Sequence, residues 1–325
     1  MSNPNFTTVF MSADIDKYGL VSYLTNQHGQ EPAVIELTGR THPITSKDAS
    51  KSTDIKEILK AIKDIHENPD AYGGSNAIQV FESGVGEIND MIATVRAKLP
   101  PSLQAKTLLL ANHAKQTPAQ EAPVYRDFDG IKVIIQTNKG KTSNTIARTR
   151  YVITTGKERQ IIIDDEGAKT LVEIDVSQDC INQQRGRGGR TNSSIFVHTR
   201  RDGDKFKPAA ELAPHMVPEI QRTPLDDIVM ELAARGDSIR TFDWQDRPLP
   251  AAIELSVSRM QALGAIDGGE KITALGERMM NFPCGPEGQR CMVESLQYPP
   301  RIRLFMAAMV GSTEVGGLKI GRAHV

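Results

Sequence analysis

Apolar residues recur along this chain in short strand-like runs and in longer one-sided stretches. The runs begin at once, at Thr8-Val9-Phe10-Met11 leading into Ser12-Ala13-Asp14 and at Ala33 to Leu37 before Gly39, so the chain is expected to start inside a domain. From Asp54, with Glu57 three residues on as its capping partner, Ile55, Ile58, Leu59, Ile62 and Ile65 recur at helical spacing up to Asn68-Pro69. A buried-strand pattern, Ala77-Ile78-Gln79-Val80-Phe81, then passes through Ser83-Gly84-Val85-Gly86 into a helix with Ile88, Met91, Ile92 and Val95 on one face. Further strands are predicted at Thr107 to Leu110, Ile131 to Ile135 and Arg150 to Ile153, with a helix-sized polar segment after Pro118. Strands alternating with helices predict a parallel sheet covered on both faces.

The texture changes twice after that. Ile161-Ile162-Ile163 and Leu171-Val172-Glu173-Ile174, separated by Asp164-Asp165-Glu166-Gly167, predict a protruding hairpin. Beyond the charged linker Arg200 to Lys207 the pattern is helical. Thr223 is placed to cap a helix with Leu225, Ile228, Val229 and Leu232 in its stripe and Gly236 at its stop, and a second helix runs from Pro250 to Leu263. A short turn, Ala265 to Ile272, and a helix opening near Thr273 complete a module of winged-helix size. The fold class is therefore α/β, with a parallel-sheet domain followed by an all-α, winged-helix module.

Composition narrows the setting. The 325 residues are enough for about two domains. The 39 basic against 40 acidic residues leave no global charge to favour nucleic acid or membrane, so any such role must lie in a local cluster. No stretch approaches the roughly 18 apolar residues of a membrane span, and MSNPNFTTVF lacks the pattern of a signal peptide, so the expected location is intracellular. The three cysteines form neither a disulfide framework nor a metal-binding spacing, and no metal site is expected.

The densest chemical signal is Gln183-Gln184-Arg185-Gly186-Arg187-Gly188-Gly189-Arg190. Arginine forks suit phosphate, and glycines let the backbone approach a ligand; an RNA-binding arginine-glycine tail and a solvated basic loop are the alternatives. Gly140-Lys141-Thr142-Ser143 imitates the end of a phosphate-binding loop, but Ile135 stands where that loop needs its first glycine. From Ile131 to Gln160 seven basic residues (Lys132, Lys139, Lys141, Arg148, Arg150, Lys157, Arg159) face one acid, Glu158, which is the expected pattern of a backbone-contact strip.

In their order these segments resemble the C-terminal half of a DEAH-box RNA helicase of superfamily 2. Ser12-Ala13-Asp14 is similar to the Ser-Ala-Thr coupling motif at the end of the first RecA-like domain, and Val80 to Ile88 to motif IV. Val133 to Asn138 through Thr142 to Ile146 is similar to motif V, and the arginine-glycine octet to motif VI. Pro218 to Thr223 and Ala262 to Asp267 resemble the family's approach to, and interior of, its winged helix. The resemblance implies that residues 1–45 end a first RecA-like domain and 46–207 form a second. It makes 208–285 the winged helix and 286–325 the start of a helical ratchet domain.

The resemblance also implies an ATP-dependent RNA helicase activity that couples hydrolysis to movement on RNA. Gln183, Arg187 and Arg190 would act on the γ-phosphate region, the arginines as fingers. Tyr125, Ser143, Thr145 and Gly186 would serve the nucleotide, Tyr125 by stacking on the base. Thr137 and Asn138 would face the RNA backbone, and Ser12 and Ala13 would couple the two events. The implied partners are ATP or another nucleoside triphosphate with Mg2+, single-stranded RNA, an N-terminal RecA-like domain carrying the magnesium ligands, and an activator protein on the winged helix. No Walker A loop or Asp-Glu-Ala-His segment occurs, so this chain by itself is expected not to hydrolyse ATP. Asp14, Lys141, Thr154 and Gln184 depart from the family pattern, and a catalytically decayed RNA-binding or scaffold module is the alternative.

Overall fold

The computed structural model describes residues 7–11, 16–37, 39, 42–138, 145–163 and 169–314; the coupling-motif residues Ser12 and Ala13, and Lys139 to Asn144 with Ser143 among them, lie outside these. The chain divides into two compact units, residues 1–160 with 171–216 and residues 161–170 with 217–325.

The first unit is built on a six-stranded parallel sheet in the order β1-β8-β5-β2-β4-β3. Its strands are β1 (Ile44–Thr53), β2 (Ala77–Phe81), β3 (Thr107–Asn112), β4 (Ile131–Gln136), β5 (Thr149–Thr154) and β8 (Ser194–Arg200). The central strands β2, β4 and β5 are buried along their whole length, because helices cover both faces and each side chain meets a core whichever way it points. On one face Ile58, Ile62 and Ile65 of helix Asp54–Glu67 and Ile88, Met91 and Val95 of helix Val85–Lys98 pack on Ile78, Val80, Val133, Ile135 and Ile153. On the other, Cys180 and Ile181 of helix Gln178–Arg185 meet Phe81, Val152 and Phe196, while Val124 of helix Pro118–Tyr125 meets Ala77, Ile134 and Ile146. The alternation of Ile78 and Val80 against Ala77 and Phe81 is the period-two geometry of a strand at work.

Polar side chains inside this sheet are hydrogen-bonded in series, with Asn112 Oδ1 left without a hydrogen-bond partner. Asn112 Nδ2 donates to Gln136 Oε1 (3.1 Å), Gln136 Nε2 to Gln79 Oε1 (2.9 Å), Gln79 Nε2 to Thr149 Oγ1 (2.7 Å) and Thr149 Oγ1 to the Ile146 carbonyl (2.9 Å). The predicted hairpin is present as the separate two-stranded pair β6 (Lys157–Ile163) and β7 (Lys169–Asp175).

In the second unit, helices Asp226–Arg235, Pro250–Ala262, Ala274–Met279 and Pro286–Ser295 share a core with Leu225, Val229, Met230, Val257, Met260, Met279 and Val293. A single antiparallel bridge joins Ile266 to Ile272. Thr273 caps its helix through the Gly276 amide, and Gly276 is required because a Cβ there would stand 2.1 Å from the Ala265 carbonyl oxygen.

Several expectations fail, each for a local reason. Residues 8–11 and 33–37 form no strand: they pair with no neighbour among the described residues, and Met11, Ile35 and Leu37 are largely exposed. Helix Lys17–His28, capped by Asp16, buries no residue, so no apolar periodicity announced it. The cap of helix Asp54–Glu67 is Thr53, and Asp54 is the first helical residue. Thr223 turns its hydroxyl back to the Glu219 carbonyl, and Leu225 occupies the cap of the next helix.

Candidate functional site

The arginine-glycine octet begins on a helix. Ser177 caps helix Gln178–Arg185 by accepting from the Cys180 amide, and the helix stops at Gly186, whose N–H returns to Asn182. Beyond it the chain turns sharply toward β8. A Cβ at Gly188 would stand 2.1 Å from Ser194 Oγ, and Gly189 has φ +65° with the His42 carbonyl oxygen 2.7 Å from where its Cβ would be. The glycines therefore answer to close packing of the turn itself.

That turn sets the arginines. Arg190 donates from Nε to the Gly186 carbonyl (3.1 Å) and from Nη1 to Thr145 Oγ1 (3.0 Å), joining the octet to the segment before β5. Arg187 is half-buried. Burial, with repulsion from Arg190 added, holds its guanidinium down to about 10, while the nearby Tyr125 phenol works in the opposite direction. Arg187 remains charged at neutral pH, and an anion placed between the two guanidinium groups would relieve their repulsion. Tyr125 ends helix Pro118–Tyr125, which opens on a Thr117–Gln120 capping box, and its hydroxyl donates to Glu121 Oε1 (3.1 Å). Five predicted residues from three distant stretches, Tyr125, Thr145, Gly186, Arg187 and Arg190, are thus linked in one place. Gln183 lies half-buried on the last turn of the same helix.

Thr137 and Asn138 follow β4 directly. The Thr137 amide donates to the Asn112 carbonyl (3.2 Å). Asn138 Nδ2 donates to Glu158, and its Oδ1 accepts from Gln184 Nε2 at 2.9 Å. Gln184, the departure from the motif VI pattern, is fully buried and is the residue that ties the helix of the octet to Asn138. Thr154, another departure, is buried and accepts from the Gly156 amide at 3.1 Å.

The basic strip is not a continuous exposed surface. Lys132 is buried and donates to the carbonyls of Val124 and Arg126 (both 2.9 Å), and Arg150 is buried against Asp64 (2.7 Å) under the Tyr72 ring. Arg148 donates to the Gly74 carbonyl, Lys157 pairs with Asp175 and Arg159 with Glu87. Five of the seven have partners within the fold, Lys132 and Arg150 buried and Arg148 and Arg159 exposed, while Lys139 and Lys141 lie outside the described residues. Sequence reading also missed a charged cluster where β2 and β8 end. Arg201 bridges the buried Glu82 (3.0 Å) and Glu173 (2.8 Å) and donates to Ser83 Oγ (2.7 Å). Burial pushes Glu82 up to about 8 and Asp54 up to about 6, in spite of Arg201. No spacing in the sequence signals this cluster, since its members lie up to 147 positions apart.

Residues 256–284 match the family model for the helicase associated domain (HA2), winged-helix. The chain is 29% identical over 300 residues to the probable ATP-dependent RNA helicase DHX34 of Homo sapiens, covering 87% of this chain and 25% of that protein. It is 30% identical over 289 residues to the ATP-dependent RNA helicase DHX33 of Mus musculus, covering 85% of this chain and 40% of that protein. Along most of its length the chain is similar to DEAH-box RNA helicases. The crystal structure of the Escherichia coli DEAH/RHA helicase HrpB superimposes with a TM-score of 0.73 at 23% identity, over 96% of this chain and 38% of that one, which bears out the fold: a RecA-like sheet unit and a helical winged-helix region. The chain spans 25% to 40% of the length of these relatives. Among its described residues no helix is long and apolar enough to cross a membrane.

Proposed function

We propose that this chain is part of an intracellular ATP-dependent RNA helicase and supplies the arginine side of its nucleotide site together with contacts to the RNA backbone. The observation that carries the reading is the convergence of Tyr125, Thr145, Gly186, Arg187 and Arg190, in a chain whose relatives are named as ATP-dependent RNA helicases. Arg187 and Arg190 neutralise charge developing on the transferred phosphoryl group, Gln183 serves the γ-phosphate region beside them, and Tyr125 stacks on the base. Ser143 and Thr145 pass the state of the nucleotide to Thr137 and Asn138 on single-stranded RNA, with Ser12 and Ala13 on the other side of the coupling. The Mg2+ that accompanies the triphosphate is held by a first RecA-like domain, residues 46–207 being the second. Residues 208–285 are the winged helix, where an activator protein docks, and 286–325 open the ratchet domain.

The test is RNA-stimulated ATP turnover by the protein carrying both RecA-like domains. Arg187→Ala or Arg190→Ala is expected to lower turnover by roughly 10³-fold or more. A tenfold or smaller loss would show that these are not the fingers. A second reading, a catalytically decayed RNA-binding or scaffold module, draws support from Asn138 already being bound to Gln184 and Glu158. It predicts salt-sensitive RNA binding without ATP turnover.

A further inference from the structure

The segment after Tyr125 is held by its carbonyl groups in alternation. Lys132 Nζ takes those of Val124 and Arg126, both at 2.9 Å, and Asn76 Nδ2 takes those of Phe128 (3.0 Å) and Gly130 (2.6 Å). Lys132 is 4% exposed and sits on β4, paired in register with Ala77 and Leu108, where an apolar side chain would serve the core. Its burial disfavours the ammonium, with only Asp127 acting the other way. Taking an ammonium out of water costs more than a cation gains at a helix C-terminus. What the lysine secures is backbone geometry, and the residue between its two carbonyl partners is Tyr125.

We infer that Lys132 is a positioning residue for the nucleotide base: by gripping the carbonyls on either side of Tyr125 it fixes the ring on which the base stacks. The inference rests on the proposed nucleotide role of Tyr125. Helix Pro118–Tyr125 has only eight residues, includes Pro123 and ends at Arg126 in extended conformation, so it has little stiffness of its own at the tyrosine. Lys132 supplies the missing constraint from the rigid centre of the sheet. Asn76 clamps the following turn but does not touch the carbonyls that flank the ring.

The test is an NMR titration of the 325-residue chain with ATP and with inorganic tripolyphosphate, which offers the same arginines phosphate without a base. Tyr125→Ala and Lys132→Met are each expected to weaken ATP binding about 5-fold or more, the lower end of base–aromatic stacking, and to leave tripolyphosphate affinity within twofold. The double variant is expected to be no weaker than either single one, and Asn76→Ala to keep the preference for ATP. The inference is overturned if Tyr125→Ala loses ATP affinity while Lys132→Met, folded, keeps it, or if Lys132→Met weakens both ligands equally. No effect of Tyr125→Ala on ATP would instead remove the base-stacking reading and the inference with it. The wild-type chain gives an independent readout should Lys132→Met fail to fold. ATP is expected to shift the Lys132 side-chain nitrogen and the Tyr125 ring at one Kd, with tripolyphosphate moving neither; a ring shift without the lysine also overturns the inference.

Discussion

The Glu82–Arg201 pair allows a sharp test of what burial does to an ion pair in this fold. Glu82 has a fully buried side chain, and its carboxyl is raised from 4.5 to about 8 even with the Arg201 guanidinium 3.0 Å away, so loss of hydration outweighs attraction. A folded-state value above the unfolded one means the protonated acid is favoured in the fold. Its contribution to stability is complete below about 4.5 and is lost as pH rises through about 8. The rise corresponds to on the order of 5 kcal/mol between pH 4.5 and pH 9. Glu82→Gln retains an oxygen for Arg201 and removes the titration. It is therefore expected to gain on the wild type by several kcal/mol as pH goes from 5 to 9. Arg201→Gln does the reverse, leaving a buried carboxylate without its cation, and is expected to cost about 3–5 kcal/mol at pH 9 and much less at pH 6. Because the chain has two units, the assay is hydrogen exchange at the β2 and β5 amides, corrected for intrinsic rate, which reads the sheet unit by itself. A Glu82→Gln effect that is constant to within about 0.5 kcal/mol across this range would refute the reasoning, since it would show that Glu82 has the same protonation equilibrium folded and unfolded.

Two further substitutions probe packing at named atoms. Gly276→Ala forces a Cβ to within 2.1 Å of the Ala265 carbonyl oxygen and is expected to cost the helical unit about 1–3 kcal/mol or more, read in urea from the fluorescence of Trp244, the sole tryptophan. A loss below about 0.5 kcal/mol would show that the turn relaxes freely. Gln184→Leu takes the donor from Asn138 Oδ1 and is expected to cost the sheet unit about 1–3 kcal/mol by β5 hydrogen exchange, an unchanged stability showing that the bond carries no weight.

The central strands and the helices beside them were legible because burial leaves a period in the sequence: Ile58, Ile62 and Ile65 mark one helical face, and Ala77 to Phe81 an unbroken strand. The same logic misled at Ala33 to Leu37, where an apolar run has no ladder to join among the described residues, since strand formation needs a partner that composition does not report. Charge was the least legible property. Lys132 and Arg150 look like surface residues in any count, yet they are buried because backbone carbonyls and Asp64 await them, and those partners lie 6 to 86 positions away. Of the candidate site, the octet stood out by its own composition. Tyr125 and Thr145 joined it only through family resemblance, because nothing local ties them to Arg187 and Arg190, 42 or more positions further on.

The series of hydrogen bonds from Asn112 through Gln136, Gln79 and Thr149 to the Ile146 carbonyl runs donor to acceptor in a single direction across β3, β4, β2 and β5. Reversing the Gln136 carboxamide would set donor against donor toward Asn112 and acceptor against acceptor toward Gln79, so its orientation is fixed from both sides. A strand slipped by one residue would carry its member to the opposite face and leave its neighbours in the row unanswered. The row therefore acts as an alignment key: it distinguishes the correct register from the slipped ones that Val133, Ile134 and Ile135, all apolar, would tolerate almost equally. Its four positions form one unit of permissible change, and a lasting substitution at any of them calls for a matching one next door.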